Sequence, residues 1–237
     1  HTPMVDVKDL LANKPWLVLF SLALIIMLTI SIRASSGTFY LKYFLEREDL
    51  ISSYMTLYMV ALTIGAASTP LLTKWLDKRK LLIVLMIAVA ALAGLQYFVT
   101  KEMVAMHFVI QGLIGFCLGP KSPLVFSMYA DTADYSEWRT HRRSTAMIFS
   151  AAAFSQKLGG ALAGAIIGYM LSGMGYVPNM QQSPDSQQGI VWLMTLIPAM
   201  FALIAALCIR FYSLSESQLA LIQADLSARQ SEVKNDL

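Results

Sequence analysis

Residues 144–172 read Ser144-Thr-Ala-Met-Ile-Phe-Ser-Ala-Ala-Ala-Phe-Ser-Gln-Lys157-Leu-Gly-Gly160-Ala-Leu-Ala-Gly164-Ala-Ile-Ile-Gly168-Tyr-Met-Leu-Ser172. The stretch holds a single charge, Lys157, near its middle. About 20 apolar residues, rising 1.5 Å each, cross roughly 30 Å of hydrocarbon, so the segment predicts a membrane-spanning helix. An ionised amine at that depth costs at least a few kcal/mol. Roughly 20 Å of helix separates it from either end, too far for a lysine to snorkel. It therefore requires a partner or a water-filled cavity, and such charges mark ion or substrate paths. Gly160, Gly164 and Gly168 recur at every fourth position, a ridge that lets a second helix approach closely. Lys157 lies three residues before the first of them, which directs its amine into the bundle rather than into lipid.

Five more apolar runs accompany this one, at about 16–41, 51–73, 80–99, 103–130 and 189–212. Of 237 residues, 57% are hydrophobic and 14% are charged, with a mean hydropathy of +0.58. A soluble domain carries roughly a quarter charged residues. Backbone polar groups cannot stay unpaired in lipid, so the runs are read as helices. The expected fold is an all-α membrane protein, a six-helix transmembrane bundle over 16–212. A cytoplasmic linker at 1–15 precedes it, and a cytoplasmic tail at 213–237 follows. The linker begins at His1 and carries Asp6, Lys8, Asp9 and Lys14, which reads as a piece of a longer polypeptide. Cys117 and Cys208 fall in apolar runs and read as packing residues.

Twelve of the 18 Lys and Arg residues collect on one side of the expected membrane, in 1–15, 74–80, 139–143 and 210–237. The other side has Lys42, Arg47 and Lys101. The positive-inside rule places both termini in the cytoplasm. Trp16, Trp75 and Trp192 sit near span ends, as an aromatic belt requires. Two longer loops are expected, an outer one at 173–188 and a charge-dense inner one at 131–143. In the tail, Ser213-x-x-Glu216 and Ser215-x-x-Gln218 offer alternative capping boxes for a short amphipathic helix bearing Leu219, Ile222 and Leu226. Residues 230–237 are expected to be disordered.

Two further cations fall within spans. Thr29, Arg33, Ser36 and Tyr40 form a polar stripe at helical period, read as a face lining a pathway. Lys121 stands in Gly119-Pro120-Lys121-Ser122-Pro123, where prolines interrupt the helix and free backbone carbonyls. Broken helices near the midplane are a recurring site architecture in transporters, yet this lysine also stands within reach of the headgroups. All 15 Asp and Glu residues can be placed outside the apolar centres, so Lys157 has no midplane counter-ion in this chain. A sodium or proton site normally needs a carboxylate. Missing protein is the implication.

Residues 131–143, Asp131-Thr-Ala-Asp134-Tyr135-Ser-Glu137-Trp138-Arg139-Thr-His141-Arg142-Arg143, follow Tyr129-Ala130 and lead into Ser144 to Gly160. This run resembles the glycoside–pentoside–hexuronide:cation symporters, the major-facilitator family that includes the melibiose permeases. Gly175-Tyr176-Val177-Pro178-Asn179, Arg210-Phe211-Tyr212, and Ile32-Arg33 leading to Phe39-Tyr40-Leu-Lys42-Tyr43 fit the same pattern. The likeness covers nearly the whole chain, aligned with the C-terminal six helices of a twelve-helix fold. It implies alternating access around a midplane sugar site in the cell's inner membrane. Lys157 would lie beside the cation and sugar sites, with Arg33, Tyr40, Lys121 and Ser122 as further binding candidates. The carboxylates that hold the coupling Na+ or H+ would belong to the absent N-terminal half. Asp77-Lys78-Arg79-Lys80 resembles the second copy of the cytoplasmic gating motif, with Asp77, Arg79, Asp131, Asp134 and Arg142 as candidate gate residues.

The chain departs from the melibiose permeases at Ala152 and Ala153, where they carry polar residues, and at Ser122, where they carry a sugar-contacting tryptophan. His141 stands where relatives often have glycine. The extra positive charges of Arg33 and Lys121 suggest an anionic sugar such as a hexuronide. A lysolipid or other amphiphile symporter on the same fold is the alternative. An enzyme is excluded on the residues themselves. His1, His107 and His141 offer no metal-ligand pair at helical spacing, and no Gly-x-Ser-x-Gly nucleophile elbow occurs. No cofactor or nucleic-acid partner is implied.

Overall fold

A computed structural model of the chain describes residues 3–142 and 144–235. Ten α-helices are found among them: α1 Pro3–Ala12, α2 Lys14–Phe39, α3 Ile51–Leu72, α4 Lys78–Gln96, α5 Val104–Leu118, α6 Lys121–Thr140, α7 Thr145–Gly173, α8 Pro184–Met194, α9 Leu196–Ile209 and α10 Glu216–Asn235. A π-turn, Tyr40–Phe44, continues α2, and a short 3-10 turn, Glu48–Leu50, precedes α3. Among the described residues, five segments are long and apolar enough to cross a membrane: Lys14–Phe44, Glu48–Leu72, Lys78–Gln96, Val104–Thr140 and Pro184–Ile209. The sixth expected crossing is the 29-residue α7, whose Gln156, Lys157 and glycines dilute its apolarity.

The central helix is α2. It packs along both α7 and α9, while α4 lies on α9 and α5, and α3 lies on α5. Two apolar clusters fill the interior. One gathers Leu19, Leu22, Ile26, Leu82, Met86 and Ile209, and the other Leu28, Ile32, Tyr40, Tyr54 and Leu193. Glycine decides the closest approach. A Cβ on Gly119 would stand 2.3 Å from the Leu62 carbonyl oxygen, and one on Gly65 would stand 2.2 Å from that of Phe116. Pro120 has no N–H for the Phe116 carbonyl, so this oxygen is free to lie against Gly65.

Several expectations need correction. Residues 1–15 do not form a plain linker: α1 docks on the bundle. Asp9 pairs with Arg142 at 2.5 Å, and Arg139 donates to the Ala12 carbonyl at 3.2 Å. Asn13 caps α2 by accepting from the Trp16 N–H at 3.1 Å and donates its amide to Thr132 at 3.0 Å. The expected loop at 131–143 is mostly helix, since α6 runs on to Thr140. Residues 131–140 contain no proline or glycine, so nothing interrupts the hydrogen-bond ladder beyond the apolar region. It ends at His141, whose φ of 56° is the left-handed cap conformation that glycine adopts most easily. The last crossing begins at Pro184 instead of 189, with Ser183 as its cap. The tail helix is also longer than expected. It starts from the Ser215–Gln218 box and continues to Asn235, so disorder expected from residue 230 does not hold up to that point; residues 236–237 lie outside the described residues.

The glycine ridge of α7 differs as well. The buried side of this helix carries Ile148, Ala152, Ser155, Gly159, Ala163, Ile167 and Leu171. Gly159 makes the close approach, where a Cβ would come within 2.9 Å of Met27 Cβ on α2. Gly164 and Gly168 have nothing within 4 Å of such a Cβ, and Gly160 meets only Ser31 Oγ, at 3.9 Å. Lys157 is exposed, on the opposite side of the helix from the buried stripe. The expectation that its amine enters this bundle is overturned. At 100° per residue, the small residues that face α2 are offset by half a turn from the lysine.

Candidate functional site

Arg33 is completely buried and occupies the core of this bundle. Its Nη1 donates to Gln96 Oε1 at 3.2 Å and to the Met194 carbonyl at 2.6 Å, and its Nη2 donates to Gln111 Oε1 at 2.6 Å. The Met194 carbonyl is available for a sequence reason. Its helical partner would be the N–H of residue 198, which is proline. The helix breaks at Thr195, and the guanidinium takes the orphaned oxygen. Gln96 also donates to Tyr54 at 3.2 Å, while His107 donates or accepts at Tyr40 (3.4 Å) and lies 3.1 Å from the Thr100 carbonyl. The whole stripe Thr29–Arg33–Ser36–Tyr40 is thus interior to the bundle, not an open pathway face.

The open faces lie elsewhere. On α2, Ser35 and Thr38 are exposed and Ser31 is half-buried, a hydroxyl stripe at offsets of four and three. On α7, Lys157, Gly164 and Gly168 are uncovered, and Gly160 adjoins Ser31. On α6, Ser122 and Phe126 are exposed, and Phe126 stacks with Phe149 of α7 at 6.1 Å between ring centres. None of the ion pairs formed by the described residues includes Lys157. Lys121 is only 3% exposed, at the first turn of α6, so it is held within the bundle.

At the end where the chain's basic residues gather, the candidate gate residues are held in separate pairs. Asp77 caps α4 by accepting from the Lys80 N–H at 2.7 Å. Lys78 pairs with Asp131 at 3.0 Å, and Arg79 donates to the Arg210 carbonyl at 2.7 Å. Asp134 accepts from Gln223 on α10 at 3.2 Å, and Trp138 donates to Asp225 at 2.8 Å. Arg142 binds Asp9, so this candidate clamps α1 and does not join the others. Tyr212 is buried beside Asp131. Burial and the neighbouring carboxylate push its phenol far above the ordinary tyrosine range, so it remains a donor.

The candidates therefore separate into three places: the Arg33–Tyr40 core, the open face with Lys157 and Ser122, and the basic end. Gln96 and Gln111 were missed as Arg33 partners, and Tyr54 and His107 as members of the same polar cluster, although two glutamines inside apolar runs were a visible signal. The Ser31–Ser35–Thr38 stripe was equally visible, one residue out of phase with the stripe that was read.

Residues 4–216 match the model of a family described as MFS/sugar transport protein. Similar proteins include the inner membrane symporter YicJ of Escherichia coli, 29% identical over 94% of this chain and 49% of its own length. A putative sulfoquinovose importer of the same organism is 31% identical, covering 93% of this chain and 47% of its own. An isoprimeverose transporter of Lactiplantibacillus pentosus is 26% identical over 96% and 47%. The chain spans about half the length of these relatives. Its helices form half of a major facilitator fold in a multi-pass inner membrane protein, and its family is one of transporters, not enzymes. The chain belongs to the MFS/sugar transport family, whose curated relatives are symporters of the glycoside–pentoside–hexuronide type.

Proposed function

We propose that this chain supplies the C-terminal six-helix half of a cation-coupled sugar symporter working by alternating access. One observation carries the reading: Lys157 is exposed on a face of small and hydroxylated residues while the opposite side of α7 is packed against α2. A lone cation on an uncovered face of a membrane bundle calls for anionic company from outside that bundle. A partner half bearing carboxylates that bind Na+ or H+ supplies it. Cation binding then competes with Lys157 for the same oxygens, which couples ion and sugar. Ser122, Ser31, Ser35 and Thr38 offer hydroxyls to a polyol on the same face. The basic end is cytoplasmic, as the charge asymmetry supports.

Arg33 and Lys121 are buried and add no charge to the open face, so an anionic sugar as substrate is supported by one relative's name alone, a sulfoquinovose importer. The test is uptake by the protein as its gene encodes it, in vesicles with an imposed sodium or proton gradient. Lys157→Ala abolishes gradient-driven accumulation while leaving the protein in the membrane. Unchanged coupled uptake in that variant overturns the role of Lys157. A clear preference for neutral glycosides over glucuronides removes the anionic substrate.

A further inference from the structure

On α4, Lys80, Val84, Ile87, Ala91 and Leu95 are all exposed, at offsets of four, three, four and four. On α9, Met200, Leu203, Leu207 and Arg210 are exposed at offsets of three, four and three. Each row is one face of a helix, and the two helices pack against each other. Both rows are apolar along their length and finish in a cation at the same basic end of the bundle. Trp75, 82% exposed, and Phe211, 76% exposed, flank that end, where aromatic side chains mark the headgroup level.

A cavity of about 550 Å³ lies there between α4, α6, the end of α9 and the start of α10. Ile83, Met128, Leu214 and Leu219 give it an apolar floor, and Lys78, Arg79, Lys80 and Arg210 line its rim. Three carboxylates also face it: Asp77, Asp131 and Glu216. Two of these are engaged, Asp131 with Lys78 at 3.0 Å and Asp77 with Lys80 at 3.5 Å. Glu216, in the first turn of α10, lines the cavity together with Arg79 and Arg210. One more donor lines the cavity. The Tyr212 hydroxyl is buried and has no hydrogen-bond partner among the described residues. A buried hydroxyl without a partner costs about 1–3 kcal/mol, so an acceptor brought to it from the cavity would be stabilising.

We propose that this cavity holds the phosphate of an anionic membrane phospholipid, contacted by Arg210, Lys80 and the Tyr212 hydroxyl, with the acyl chains along the exposed apolar rows of α4 and α9. A soluble anion would use the cations and the hydroxyl but not the apolar floor or the rows leading into it. The site joins α4 to α10, so an occupant braces the tail helix against the bundle. The inference rests on the chain's place in a membrane and not on what it transports.

The experiment is thermal unfolding of the whole protein in detergent, titrated with phosphatidylglycerol or phosphatidylcholine. Phosphatidylglycerol is expected to raise the melting temperature at lower concentration than phosphatidylcholine. In the Lys80→Gln/Arg210→Gln double variant that preference falls by roughly tenfold or more, since each basic group near a membrane surface contributes about 1 kcal/mol. Tyr212→Phe removes only a hydroxyl without a partner, so it folds and weakens the preference alone. Equal stabilisation by both lipids overturns the site. Inorganic phosphate at matched ionic strength serves as the third arm, and a shift equal to that from phosphatidylglycerol overturns the lipid as its source. A preference intact in Tyr212→Phe and in the double variant also overturns it.

Discussion

A guanidinium carries five N–H donors, and in hydrocarbon no water answers them. Arg33 finds three acceptors in two glutamine side chains and one backbone carbonyl, and its Nε has no partner among the described residues. The planar fork matters here, because acceptors on α4, α5 and the α8–α9 break must be spanned at once. Arg33→Leu would strand all three acceptors. Charge-assisted hydrogen bonds contribute about 1.5–3 kcal/mol each, and the loss should lower stability by about 3 kcal/mol or more. Arg33→Lys should recover little of it, since an ammonium cannot reproduce the fork. Thermal unfolding in detergent measures both, and full recovery by lysine would contradict the geometry. His141 presents the opposite situation, a residue with a Cβ in a left-handed conformation. His141→Gly should raise the melting temperature by an amount worth up to about 1 kcal/mol, and His141→Val should lower it.

Among the helices, proline and glycine decide both the breaks and the approaches. Pro198 frees the carbonyl that Arg33 takes, and Pro120 frees the one that lies against Gly65. Gly119 and Gly164 make a controlled comparison. A methyl at Gly119 would meet the backbone of α3, which cannot yield, so Gly119→Ala should cost about 2 kcal/mol or more. A methyl at Gly164 meets nothing within 4 Å among the described residues, and Gly164→Ala should leave the melting temperature of the bundle unchanged or higher. If the α7 face meets a second half, Gly164→Leu should depress uptake while Gly164→Ala does not. Equal uptake in both variants would argue against a close partner there.

Across the whole molecule, one surface carries a cation and a hydroxyl stripe while the lipid-facing rows of α4 and α9 are apolar. An uncovered polar face in a bilayer is unfavourable. If further protein covers this face, the chain expressed alone should be degraded rapidly, and co-expression with that remainder should restore its membrane abundance, measured by immunoblot. Equal abundance without that remainder would show that the face tolerates lipid.

Much of this architecture was legible from residue order alone. The apolar runs dictate helices because lipid offers the backbone no other partner, and the one amine in 144–172 marks the helix that cannot be lipid-facing all round. The charged 131–143 run carried the family, and the Gly-Pro break before Lys121 was readable from proline chemistry. Tertiary structure alone decided which face of each helix is covered. Periodicity shows that residues share a face but not which neighbour that face meets. The stripe through Arg33 therefore turned out interior, and Lys157 turned out open. Docking of α1 and the clasp around α10 depend on distant partners, 133 residues apart for Asp9 and Arg142 and 87 for Trp138 and Asp225. Local sequence sets backbone hydrogen bonding, while side-chain partnership between distant segments exists only once the helices have packed.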